Sequence, residues 1–149
     1  MGALAWYYFT PYDPDMREAF RALRQREFAA GRYYPAVLVP EFPVRPNSPS
    51  PGAKHSSLED AIQAAGSNGT RSILDMKDVT FDQVRRAGLM APLTPAEILE
   101  LYQSEHPTHE MIERNMDFFA DLGRGEGIFI TVFKEGTPDE LFFAGYSYD

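Results

Sequence analysis

The sequence predicts an α+β fold in one domain, a mixed sheet of about four strands packed with about four helices. Three observations carry that expectation. Some segments repeat apolar residues at helical spacing and others are short aromatic or β-branched runs. Read along the chain they give the order βα, long loop, αβ, αα, ββ, which belongs to the α+β class. The length, 149 residues, suits one core. A chain of that size buries about 68–70% of its unfolded surface, enough for stability without disulfides or structural metal.

Residues 3–9 (ALAWYYF) are an aromatic run ended by the turn Thr10-Pro11-Tyr12-Asp13-Pro14, and predict a first strand. Asp13 then stands as N-cap and Pro14 as the first helical residue. Met16, Phe20, Leu23 and Phe28 recur at near-helical spacing until Gly31 stops the helix. Six of the twelve prolines fall within residues 32–56, so a long proline-rich loop is expected there. Its first part, YYPAVLVPEF, is apolar enough to lie across the core or form an edge strand. The rest, VRPNSPSPGAKHS, reads as polyproline-like.

Ser56 with Glu59 forms a capping box for a short helix, LEDAIQAAG, and a partly buried strand is expected near 70–76. Phe81 and Val84 are compatible with one helical turn within 79–88. Thr94 and Glu97 make a second capping box, with Pro95 at the first helical position, for a helix over 95–105. A further helix over 108–122 starts at Thr108 and ends at Gly123 and Gly125. Residues 128–133 and 141–148 predict a hairpin closed by residues 134–139. Pairing that hairpin with the first strand would gather the aromatics of both chain ends. Their outward members could build a homodimer interface or an apolar ligand pocket.

The absence of cysteine excludes thiol catalysis, iron–sulfur clusters and cysteine-ligated zinc, and fits a reducing compartment. The start of the chain lacks a basic n-region, and no stretch approaches the roughly 20 apolar residues of a membrane span. A cytoplasmic protein with no membrane partner is expected. The net charge of −8 is uneven: residues 1–54 carry seven basic against five acidic residues, and 55–149 carry seven against seventeen. An acidic C-terminal part repels phosphates, which makes a nucleic-acid partner unlikely.

Glu110, Glu113, Asp117 and Asp121 are spaced three, four and four, so a helix over 108–122 would place them on one face, opposite its apolar stripe. That face is either plain solvated surface or a docking surface for a basic protein. Arg17, Arg21 and Arg24 recur at i, i+4 and i+7 on the first helix; they could hold an anion together, though pairing with nearby carboxylates is the commoner arrangement. His109 and Glu113 have the i, i+4 spacing of metal ligands, but a distant third ligand is wanting and no metal or cofactor is expected. His55, Arg71, Asp75, Tyr33 and Tyr34 are the candidates for chemistry, since loops and strand ends are where a sheet presents it.

Two functions follow. The first is a small acidic cytoplasmic binding protein, an inhibitor or immunity-type partner of a basic protein. The alternative is a metal-independent enzyme or ligand-binding domain with its pocket between the sheet and the proline-rich loop.

Overall fold

The aromatic run at the start of the chain becomes strand β1 (Ala5–Pro11) because both of its faces find a core to enter. The computed structural model describes residues 3–149. Four further strands follow: β2 (Asp78–Val79), β3 (Leu89–Pro92), β4 (Gly127–Lys134) and β5 (Thr137–Tyr146). All five make one mixed sheet in the order β1-β5-β4-β3-β2. β5 runs antiparallel to both β1 and β4, whereas β3 is parallel to β4 and to β2. The protein is a single-domain α+β fold with one strand more than the sequence suggests.

Side-chain alternation splits the core cleanly. Trp6, Tyr8, Phe129, Leu141 and Phe143 face helices α1 (Met16–Ala30) and α2 (Leu58–Ala65) and a 3₁₀ turn (Ile73–Asp75). Tyr7, Phe9, Ile128, Ile130, Val132, Phe142 and Ala144 face α3 (Pro95–Tyr102), α4 (His109–Arg114) and a second 3₁₀ turn (Asp117–Asp121). A sheet covered on both faces needs strands apolar throughout, which is why β4 and β5 read as continuous apolar runs. The β4–β5 turn is Glu135-Gly136, both at positive φ (52° and 78°), as a two-residue hairpin turn requires.

Several local expectations need correction. Asp15, not Asp13, caps α1, accepting from the Glu18 N–H, while Asp13 accepts from the Asp15 N–H at 2.8 Å. Ser57, one residue past the expected Ser56, caps α2, and Ser56 hydrogen-bonds the Asp60 carboxylate instead. Residues 70–76 are a bend and a 3₁₀ turn rather than a strand. The Thr70, Ser72 and Asp75 side chains bond within that segment, and Arg71 sits at φ 55°, which breaks the extended chain. Phe81 lies in irregular chain and Val84 in a bend, and they are 60% and 55% exposed, so no helical turn forms there. β2 and β3, which supply the parallel edge, arise on either side of that segment.

The helix expected over 108–122 is two pieces. α4 ends at Arg114 because Asn115 turns extended, at φ −141° and ψ 102°, and a separate 3₁₀ turn carries Asp117 and Asp121. The four carboxylates therefore do not line one face of one helix. The proline-rich loop is folded onto the sheet edge: Phe42 packs edge-on against Tyr8 (5.2 Å) and at a tilt against Tyr7 (5.9 Å), whose side chains leave opposite faces of β1. The loop thus wraps the outer edge of β1, covering an edge strand that would otherwise offer unpaired backbone.

Candidate functional site

Asn115 organises the acidic side of the molecule. Its side-chain amide donates to Leu101 O (3.1 Å), its Oδ1 accepts from the Asp117 N–H (3.0 Å), and its backbone carbonyl accepts from the Tyr102 hydroxyl (2.8 Å). These bonds tie the end of α3 to the 3₁₀ turn and leave a groove of about 400 Å³ between them. Glu97 and Glu100 line it from α3, and Asp117 and Asp121 from the turn. Among the described residues, no cation lies at ion-pair distance from Glu100, Asp117 or Asp121. Burial alone would push the Glu97 carboxyl up, but hydrogen bonds from Thr94 and Arg85 outweigh it and hold the group below the ordinary glutamate range. Burial, with Asp117 adding its charge, pushes the Tyr102 phenol up to about 12.

The other half of the expected stripe goes elsewhere. Glu113 lies beside His109 Nε2 (3.2 Å), while His109 Nδ1 meets Glu140 of β5 at 2.7 Å and the imidazole stacks on Phe9 with ring centres 3.8 Å apart. Glu110 faces a shallow depression with His109, Glu135, Asp139 and Glu140. Arg114 makes no ion pair with Glu110. Among the described residues, no group of three or more His, Cys, Asp or Glu side chains is arranged to hold a metal.

A second cavity, of about 280 Å³, opens between β1 and the proline-rich loop, where the alternative reading places a pocket. Its lining is not the set the sequence suggests. Tyr7, Phe9, Arg45, His109, Glu113 and Glu140 contribute, whereas His55, Arg71, Asp75, Tyr33 and Tyr34 line none of the cavities described for the chain. Those five residues lie together in a packing network. Tyr33, fully buried, bonds His55 Nδ1 at 2.7 Å and accepts from the Lys54 N–H, pinning the end of the loop. Arg71 lies over the Tyr34 ring (4.5 Å), donates to Leu38 O and pairs with Asp149.

Asp75 is the buried carboxylate of this group. Its Oδ1 accepts from the Thr70 N–H and hydroxyl (2.7 and 2.8 Å), while Oδ2 is buried without a partner, and burial raises the carboxyl pKa despite those bonds. The folded state then holds this proton more tightly than the unfolded chain, so stability falls as pH rises from the ordinary aspartate value through the raised one. Asp75→Asn should remove that slope and leave stability near neutral pH equal or higher. Urea midpoints from about pH 4 to about pH 8 test this; a large loss with the slope intact would contradict it.

Arg17, Arg21 and Arg24 of α1 do not share a site geometry. Arg17 meets Asp78 (3.3 Å) and the Val79 carbonyl, Arg21 meets Glu18 (3.8 Å), and Arg24 donates to Leu74 O (2.9 Å) while lying over the Phe20 ring. Sequence reasoning missed Glu97, Glu100, Arg45, Tyr7 and Glu140. The first two were visible as an i, i+3 pair on the α3 surface; the others need the tertiary fold. No protein family, curated protein or solved structure matches the chain.

Proposed function

We propose that this chain is an acidic binding module of the cytoplasm, of the inhibitor or immunity type, which docks a basic protein on the groove between α3 and the 3₁₀ turn. The observation that carries this reading is that Glu100, Asp117 and Asp121 face one groove with no cation among the described residues at ion-pair distance. Residues 97–149 carry twelve acidic and three basic residues, so the field around the groove has one sign. A surface of this kind steers a basic partner, fixes its register and weakens sharply with salt, since exposed charges are screened beyond about 8 Å at physiological ionic strength. No described helix is long and apolar enough to cross a membrane.

Capture from the native lysate tests the reading when paired with charge reversal. A basic protein held stoichiometrically at low salt should be released at high salt, and Asp117→Lys with Asp121→Lys should weaken its binding by about tenfold or more. If the double variant holds the same protein equally well, the groove is not the docking site.

A further inference from the structure

The cavity at the edge of β1 shares no residue with the acidic groove and has a different chemistry. Its charges are segregated. Glu113 and Glu140 stand at one end, each beside one nitrogen of the His109 imidazole. Arg45, carried by the proline-rich loop, faces the same cavity, and among the described residues no carboxylate lies at ion-pair distance from it. Tyr7 lines the same cavity. Its hydroxyl makes no hydrogen bond; burial raises its pKa, with Glu113 pushing the same way and Arg45 pulling down. The cavity thus gathers a guanidinium, a phenol and two carboxylates, and among the described residues no ion pair joins the guanidinium to the carboxylates.

Three ligand classes fit this cavity poorly. A simple anion would meet two carboxylates, and a simple cation would meet the Arg45 guanidinium. A neutral apolar molecule would strip water from the charges and return nothing to them. A small zwitterion satisfies both ends. We propose that the cavity binds a free α-amino acid with an apolar side chain. Arg45 and the Tyr7 O–H donate to its carboxylate, Glu113 and Glu140 accept from its ammonium group, and Pro43, Val44 and Pro46 receive its side chain. The volume, about 280 Å³, suits a ligand of this size.

The test is isothermal titration of the intact protein with leucine, methionine and phenylalanine, each up to about 10 mM, beside N-acetyl-leucine and leucinamide. At least one free amino acid should bind, with backbone amide shifts at Tyr7 and Phe9 and across 44–45. The two blocked derivatives, each lacking one charge, should bind at least about tenfold more weakly. Arg45→Gln, on an exposed loop position, and Tyr7→Phe should weaken binding with circular dichroism and melting temperature retained, whereas Asp117→Lys/Asp121→Lys should leave it unchanged. Absence of binding by all three amino acids, equal binding of the blocked derivatives, or indifference to Arg45→Gln would each overturn the proposal and leave the acidic groove untouched.

Discussion

Arg32→Met should destabilise the protein by about 3–5 kcal/mol, the range seen when one partner of a buried ion pair is removed. Glu27, on the inner side of α1, has no solvent exposure, and Arg32 Nε and Nη2 hold its two carboxylate oxygens at 2.8 Å each. This bidentate pair follows directly on the stop of α1 at Gly31, whose φ of 76° lets the chain reverse so that Arg32 can reach back. Without Arg32 the carboxylate keeps, among the described residues, only the Arg26 cation, at 3.5 Å and half exposed. Native domains have only about 5–15 kcal/mol in hand, so the variant should unfold at a much lower urea concentration. The double variant Glu27→Leu/Arg32→Met, which removes both charges, should recover most of the loss. A decrease of less than about 1 kcal/mol in the single variant would show that the pair is not what holds this end of the helix.

The second large effect is expected at Gly145. In a strand interior, glycine to alanine ordinarily gains about 0.5–1 kcal/mol by reducing backbone freedom. Here the sign reverses. A Cβ at this position would stand 2.5 Å from the Trp6 indole and 2.7 Å from the Glu126 carbonyl oxygen, and the second contact is backbone that cannot step aside. Gly145 pairs with Trp6 on β1 and with Gly127 on β4, so the two glycines lie side by side and make room for the indole and, at Gly127, for Met90. Gly145→Ala should therefore lose about 3 kcal/mol, the upper end of the usual overpacking range. Thermal or urea unfolding reads it directly; a gain in stability would mean that the central strands shift more freely than this packing allows.

Most of the scaffold was legible because its signals are local. Capping by Thr94 with Glu97, the stop at Gly31 and the aromatic runs of β1, β4 and β5 all act within a few residues of themselves. The failures have a common cause. β2 and β3 are two and four residues long, and their partners lie at other positions in the chain, so no periodicity could reveal them. The segment 70–76 looked extended until its own Thr, Ser and Asp side chains competed for the backbone. Asn115 fits an amphipathic helix by spacing, and what breaks the helix is a bond to Leu101, on another element.

The acidity of the α3–α4 region is a property of composition and was readable. The grouping of Asp117 and Asp121 with Glu97 and Glu100, rather than with Glu110 and Glu113, depends on the tie at Asn115. The lining of the second cavity was not readable, because Glu140 arrives only when β5 pairs with β1, and His109 only when α4 docks on Phe9.

The acidic groove is tested most directly by titrating the isotopically labelled protein at low salt with a short lysine- and arginine-rich peptide and following every backbone amide. The largest shifts should fall on Glu97, Glu100 and Gln103 of the α3 side and on Asn115, Asp117 and Asp121 across the groove, and they should collapse when salt is raised. Shifts spread evenly over all acidic residues, or absent from this groove, would contradict the account.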